Sequence, residues 1–184
     1  MLADLGVTLG SDDRCFVHTI GGPITSGTYT DLGRITIPGR SADNVVYFVL
    51  NRTINSNFEN PFVNEIPAYF SFSPRLTIES DALNDPAAVD ENGNPLNGVL
   101  TVSAFGAHIF NRSLGAGAFE ASFDHSSAAA STGFARTYFA ALGLPPHVIN
   151  QLYRRPMTIK LGMRVAVRGV SFGQYLYSMR FTGN

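Results

Sequence analysis

The segment from Met157 to Arg168 alternates apolar residues with others at every position, and this pattern constrains the fold more than any other in the chain. Its apolar residues occupy alternate positions: Met157, Ile159, Leu161, Met163, Val165 and Val167. A period of two indicates a β-strand with one buried face, because successive side chains on a strand point to opposite faces. The alternation resumes after a glycine-rich turn, at Tyr175, Tyr177, Met179 and Phe181. We therefore predict one long C-terminal hairpin over residues 157–182.

Other apolar runs, separated by turn signals, bring the predicted number of strands to about eight. Residues 45–50 are apolar on both faces, which predicts a strand in the centre of a sheet. Residues 55–67 contain repeated asparagines and two prolines, so we expect a loop there. Residues 81–98 are acidic and contain Asn92-Gly93, which is a strong turn signal.

Two short helices are predicted at about residues 133–155. The first has Ser131 or Thr132 as its expected cap and ends at Gly143. The second begins at Pro146, and its inner face carries Val148, Ile149, Leu152 and Tyr153. The serine- and alanine-rich residues 125–133 that precede them are expected to form a flexible or closely packed connector.

Many strands and a single helical interruption predict a mainly β protein. The expected fold is an antiparallel β-sandwich, jelly-roll-like, with one or two short helices before the C-terminal hairpin. A chain of 184 residues suits one domain, which we place at residues 31–184. Residues 1–30 are rich in Gly, Ser, Thr and Asp, and we expect an extended N-terminal arm with a short strand around residues 15–20.

Charge is distributed unevenly along the chain. Residues 1–124 contain all 14 acidic and six of the 13 basic residues, for a net charge of −8, whereas residues 125–184 have a net charge of +7. This asymmetry indicates an anionic partner or contact between copies of the chain. Pairing of acidic and basic strands within one sheet would account for it equally well.

The candidate contact residues for an anion or a neighbouring subunit are basic and lie late in the sequence. We expect four of them to form one row on a sheet face: Lys160, Arg164, Arg168 and Arg180. Arg154 and Arg155 are expected at the edge of that row. Arginine suits bidentate contacts with phosphate or carboxylate groups, so nucleic acid is one partner to consider.

No motif predicts an enzyme. The segment 169–173 matches the G-x-S-x-G pattern, but the next segment is a strand, and no Asp, Glu or His follows Ser171. Glu120 and Asp124 lie four positions apart on one strand, about 13 Å, beyond the roughly 5 to 9.5 Å that paired catalytic carboxylates need. We expect them to form, with Ser122, a solvent-exposed polar face. The opposite face of that strand carries Phe119, Ala121 and Phe123.

No metal site or cofactor is predicted. Residues 90–94 resemble the start of a calcium loop, but Pro95 stands where that loop needs glycine. Cys15 and the four histidines are too scattered for a zinc site: His18, His108, His125 and His147. A single cysteine permits no internal disulfide, which agrees with assembly in a reducing compartment.

The leading hypothesis is a non-enzymatic structural assembly subunit, namely a virion or phage-like coat, decoration or tail protein. It would self-associate through its arm, its loops and complementary charge, and its other partners would be virion proteins and nucleic acid. Asp4 and the lack of a basic lead argue against a signal peptide, and no apolar run reaches the roughly 18 residues of a membrane helix. The expected location is a virion assembled in the host cytoplasm, or otherwise the cytoplasm.

Two other classes of function stay open. A β-sandwich module that binds a ligand such as a glycan would use the Tyr, Asn and Asp residues of loops 55–67 and 81–98. Such a module predicts a monomer or small oligomer with an aromatic side chain exposed in a loop. An enzyme is the third class, and it would need a pocket in which acidic residues or histidines from distant strands converge.

Overall fold

The computed structural model describes residues 2–7, 24–40, 45–103 and 106–183. Over these residues the chain forms nine β-strands: β1 Leu2–Val7, β2 Thr25–Ile37, β3 Val45–Glu59, β4 Ile66–Glu79, β5 Val99–Val102, β6 His108–Leu114, β7 Phe119–Ala135, β8 Met157–Arg168 and β9 Val170–Gly183. Two α-helices, α1 Arg136–Ala141 and α2 Pro146–Arg154, lie between β7 and β8. A 3-10 helix, Asp81–Asn84, follows β4. No helix of these segments is both long and apolar enough to span a membrane.

The strands form two antiparallel sheets that face each other. One sheet has the order β1-β9-β3-β7, and the other has the order β2-β8-β4-β5, with β6 also paired to β4. Phe58 of β3 stacks on Phe110 of β6 with 3.8 Å between ring centroids, so the sheets are in contact through their inner faces. The predicted antiparallel β-sandwich with short helices is confirmed. The predicted central position of residues 45–50 is also confirmed, because β3 lies between β9 and β7.

The core is built on β8, which lies between β2 and β4. All six apolar residues of its alternating pattern are buried. Gly162 is buried as well, next to the point where β2 has a register shift. A Cβ at this position would lie 2.8 Å from the carbonyl oxygen of Tyr29, so only glycine lets β2 approach β8 this closely.

The helices follow the predicted pattern in most respects. Gly143, with a φ of 86°, follows α1, and Pro146 is the first residue of α2. The four residues predicted for the inner face of α2 are all buried. The cap of α1 differs from the prediction, since Ala135 holds this position and gives no side-chain hydrogen bond. The reason is that β7 continues through Ser131 and Thr132 to the start of the helix.

The predicted C-terminal hairpin does not form. β8 pairs with β2 and β4, whereas β9 pairs with β1 and β3 in the opposite sheet. Gly169, with a φ of 67°, is the single residue between the two strands and carries the chain from one sheet to the other. A period of two indicates that a strand has one buried face, but it does not identify the neighbouring strand.

Several segments that were expected to lie outside the strands of the sandwich belong to strands. Residues 2–7 and 25–29, from the expected extended arm, pair with β9 and β8. Residues 55–59 continue β3 into the expected loop, and residues 125–133, the expected connector, belong to β7. Ladder partners across the sheet outweigh the weak strand propensity of Gly, Ser, Asn and Ala in these stretches. The short strand expected around residues 15–20 lies outside the described residues.

Candidate functional site

Five basic residues lie on the outer face of the sheet that contains β8, and we call this surface the basic face. Its members are Arg34 on β2, Arg75 on β4, and Lys160, Arg164 and Arg168 on β8. The β8 members occupy the positions that alternate with the buried ones, so they point away from the core. Arg34 is directly opposite Lys160, and Arg75 is directly opposite Gly162. Residues opposite each other on antiparallel strands share a face, which brings all five side chains onto one surface.

Acidic neighbours compensate only part of this charge. Lys160 Nζ donates to Glu79 Oε1 at 2.6 Å and lies 4.0 Å from Asp31 Oδ2. Arg34 forms an ion pair with the same aspartate. Pairing between strands of one sheet, an alternative that the sequence left open, therefore applies to Lys160.

Three arginines of the basic face have no such partner. Within the described part of the chain, Arg75, Arg164 and Arg168 form no ion pair with an acidic side chain. The Nε of Arg168 is buried, and no described residue accepts a hydrogen bond from it. Uncompensated guanidinium groups on an outer sheet face are suited to an anionic partner.

The remaining candidate residues lie elsewhere. Arg180 belongs to β9 in the other sheet, where its backbone is opposite Asp4 and Val49, so the predicted four-residue row reduces to Lys160, Arg164 and Arg168. The row fails to include Arg180 because β8 and β9 do not form a hairpin. Arg154 and Arg155 are exposed at the end of α2, and Arg154 lines a pocket between α2 and the end of β2.

The faces of β7 are the reverse of what its sequence led us to expect. Phe119 and Phe123 are 60% and 70% exposed, and with the exposed Ala121 they form what we call the phenylalanine face. Within the described part of the chain β7 pairs only with β3, so this face lies on an edge strand. The first and last residues of the expected polar face, Glu120 and Asp124, instead contact β6 of the opposite sheet.

Polar contacts across the sandwich account for this reversal. Arg112 Nη1 donates to Glu120 Oε2 at 3.1 Å, and His108 Nδ1 lies 3.3 Å from Asp124 Oδ2. Both bases lie on β6, so the polar side of β7 faces the other sheet and the phenyl rings face outward. The pattern of β7 alone does not predict which face is buried, because the bases that decide it come from another strand.

A loop with exposed apolar residues lies beside the start of β7. Phe62 and Val63 are 47% and 89% exposed. Asn60 is buried and fixes this loop, since its Nδ2 donates to the carbonyl oxygens of Asn64, Leu114 and Gly115 at 2.8 to 2.9 Å. The Gly117 N–H donates to the carbonyl oxygen of Phe62, which attaches the loop to the turn before β7. The exposed apolar surface of this edge therefore includes both the loop and the strand.

The motifs that suggested chemistry lie in regular strand and turn geometry. Ser171 lies within β9 and is not at a strand-to-helix turn. Asp90 Oδ1 accepts the backbone N–H groups of Asn92 and Asn94 at 2.9 and 2.8 Å, and Gly93 adopts a φ of 81°, as a tight turn requires. Hydrogen bonds from the side chain and backbone of Asn94 lower the pKa of Asp90. No cluster of three metal-ligating side chains occurs in the described segments.

The loop of residues 81–98 borders a polar cleft of about 340 Å³ at the end of β4. Asp81, Asn84 and Asn97 line it, and no aromatic side chain does so among the residues that the structure describes. The cleft therefore offers a glycan hydrogen-bonding groups, but its described lining includes no aromatic ring on which a sugar would stack.

No protein-family model and no curated protein sequence matches the chain. The chain is similar to a chain in the structure of the infectious bursal disease virus Gx strain, with 12% sequence identity and a TM-score of 0.37. The similarity covers 100% of this chain and 32% of the viral chain. It is also similar to the infectious bursal disease virus VP2 subviral particle, with 8% identity and a TM-score of 0.36 over 100% of this chain and 33% of that one. The chain thus spans about a third of the length of these viral proteins. The fold assignment rests on the strand pairing.

Proposed function

We propose that this chain is a structural subunit that assembles with copies of itself as a coat component of a virion. The observation that carries the proposal is the phenylalanine face on the edge strand β7. The largest apolar patch on a soluble monomer covers roughly 300 to 600 Å² and is often functional, and an exposed apolar edge strand favours pairing with another chain. At high protein concentration, the partner available to bind at this edge is a second copy of the same chain.

The patch is large enough to form part of a contact between subunits. With roughly 200 Å² per phenylalanine side chain, the exposed fractions of Phe62, Phe119 and Phe123 amount to roughly 350 Å² of apolar surface. A standard interface buries about 800 Å² on each partner, so these three rings would supply a little under half of it.

The strand order supports a jelly roll. If β5 and β6, which both pair with the same side of β4, are counted as one strand, the sheets have the orders 1-8-3-6 and 2-7-4-5. This is the arrangement of a double-sheet jelly roll, an architecture that recurs in viral capsid and lectin domains. The link from this fold to a coat function is an analogy, and the exposed edge is what favours assembly over ligand binding.

Complementary charge would join neighbouring copies. The basic face has three arginines that pair with no acidic side chain among the described residues, and residues 1–124 of an adjacent copy are rich in acidic residues. A head-to-tail contact of this kind closes into a ring where the rotation between copies allows it and otherwise forms an open filament. In this proposal the basic face meets either the acidic part of the next subunit or the nucleic acid that a coat encloses.

Light scattering of the purified protein at two salt concentrations, with the ratio of absorbance at 260 and 280 nm, tests the proposal. We expect a large particle of defined mass. A high ratio that is lost in salt would indicate that nucleic acid is bound through charged contacts. A monomer at both salt concentrations would overturn the assembly proposal and favour the glycan-binding alternative.

Charge reversal tests the basic face separately. Arg164→Glu combined with Arg168→Glu should weaken assembly or nucleic-acid retention, whereas Arg155→Glu, which changes an exposed arginine outside this face, should not. If the double variant assembles and retains nucleic acid as the unchanged protein does, the basic face has no part in either.

A further inference from the structure

A cavity of about 530 Å³ lies between the end of β2 and the two helices, and we call it the arginine pocket. The described residues that line it are Arg40, Arg136, Tyr153 and Arg154. Three of these four carry a guanidinium group, and none is acidic. The pocket brings together residues from three distant parts of the sequence, and it is separate from both the basic face and the phenylalanine face.

The backbone fixes two of the arginines next to each other. The Arg40 N–H donates to the carbonyl oxygen of Tyr153 at 2.9 Å. A Cβ on Gly39 would lie 2.4 Å from the carbonyl oxygen of Arg154, so glycine is required for this turn to pack against the end of α2. Arg40 has a φ of 61°, a conformation that is uncommon for residues other than glycine. The turn therefore holds Arg40 beside Arg154 by defined contacts.

The third arginine is held by the helices. The guanidinium carbon of Arg136 lies 4.7 Å from the centre of the Tyr153 ring, and its Nη1 donates to Asn150 Oδ1. The Tyr153 hydroxyl donates in turn to the carbonyl oxygen of Phe134. Burial raises the pKa of Tyr153 to about 12, an effect that the nearby Arg136 charge partly opposes. Tyr153 is therefore neutral at physiological pH, so it orients Arg136 without neutralising its charge.

The positive charge of the pocket favours the binding of an anion. Neither Arg40 nor Arg154 forms an ion pair with an acidic residue in the part of the chain that the structure describes. Positive groups that line one cavity repel each other. An anion bound between them is attracted to each of them, and this attraction outweighs the repulsion. The planar fork of arginine matches the oxygens of a phosphate group, which accept two parallel hydrogen bonds.

We propose that the arginine pocket binds a phosphate group, with Arg40, Arg136 and Arg154 as its donors. A cavity of this volume has room for more than one phosphate. The phosphate group can belong to a small polyphosphate or to the backbone of a nucleic acid, and both present the same oxygens to the pocket. The proposal does not depend on self-assembly, because all of its residues lie within one chain.

Calorimetric titration of the full chain at low salt, with inorganic pyrophosphate and separately with a short single-stranded DNA, tests the site. The informative variants are Arg154→Gln and Arg40→Asn, since asparagine tolerates a positive φ. Arg155→Gln is the matched control, because Arg155 is an adjacent exposed arginine that does not line the pocket. Circular dichroism and thermal unfolding check that each variant is folded.

We expect each pocket variant to weaken pyrophosphate binding about ten-fold or more, as the loss of one charge-assisted hydrogen bond predicts, with no effect of Arg155→Gln. If the variants weaken DNA binding in parallel, the phosphate comes from a nucleic acid, and if only pyrophosphate is affected, it comes from a small ligand. Absence of binding at millimolar pyrophosphate overturns the proposal. So does an equal loss in the Arg155→Gln control, because it would indicate nonspecific attraction to surface charge.

Discussion

Replacing Phe123 with serine removes a ring that is 70% exposed and leaves the core of the sandwich untouched. Its effect on the folded monomer should be small, because surface substitutions away from packed features usually change stability by less than about 0.5 kcal/mol. Its effect on assembly should be large if a neighbouring copy covers the ring. The variant therefore separates a role in assembly from a role in folding.

The expected size of the effect follows from exposure. Full burial of a phenylalanine side chain contributes up to about 3 kcal/mol, so covering the exposed 70% of Phe123 contributes about 2 kcal/mol, or roughly a 30-fold change in the dissociation constant. Phe119, which is 60% exposed, contributes a similar amount. The two positions are roughly 13 Å apart along β7, so their effects should add to about 4 kcal/mol.

Sedimentation equilibrium of the Phe119→Ser, Phe123→Ser double variant measures this loss. Leu142→Ser is the matched control, because Leu142 is 39% exposed and lies at the end of α1, outside both the basic face and the phenylalanine face. Urea denaturation of each variant checks the stability of the monomer. Assembly of the double variant within about three-fold of the unchanged protein would refute the argument, as would an equal loss in the control.

Three further predictions concern stability. Lys160→Met should lower the free energy of unfolding in urea by about 1 kcal/mol, because it removes the partner of Glu79, and no change would mean that their ion pair contributes nothing. Gly39→Ala should cost about 1 to 3 kcal/mol in the same assay, because the added Cβ overlaps a carbonyl oxygen at the end of α2, whereas Gly106→Ala meets no atom within 4 Å and should cost far less. The folded pKa of Asp90 is below its ordinary value of 3.8, so its hydrogen-bonded carboxylate stabilises the fold above pH 3.8 and loses this effect as pH falls through the folded pKa. The difference in Tm between the unchanged protein and Asp90→Ala should accordingly be largest above pH 3.8 and shrink in more acidic buffer, and a constant difference would contradict the assignment.

Local patterns predicted the elements of this fold well. The alternation of residues 157–168 identified β8 and its buried face, and the Pro145-Pro146 pair identified the start of α2. Both signals depend only on near neighbours in the sequence. The partners of β8 were not predictable in the same way, because strand pairing depends on contacts between distant segments. The sequence predicts a hairpin turn at Gly169, although this residue carries the chain from one sheet to the other.

The candidate sites were predictable only in part, for the same reason. Lys160, Arg164 and Arg168 share a face of one strand, so their spacing alone placed them together. Arg40 and Arg136 gave no signal, because each is an isolated base in its own segment and meets Arg154 only in the folded chain. The phenylalanine face was visible as a pattern, but its outward direction depends on polar contacts with β6 that no local pattern reveals.

Hydrogen exchange at residues 119–125, followed by mass spectrometry, tests the central claim most directly. The protein would be compared at a concentration where it is assembled and after dilution to the monomer. If copies meet at the edge of β7, the amides of this segment exchange more slowly in the assembled protein, while those of helix α1 exchange equally in both states. Equal exchange at residues 119–125 in an assembled sample would contradict the claim.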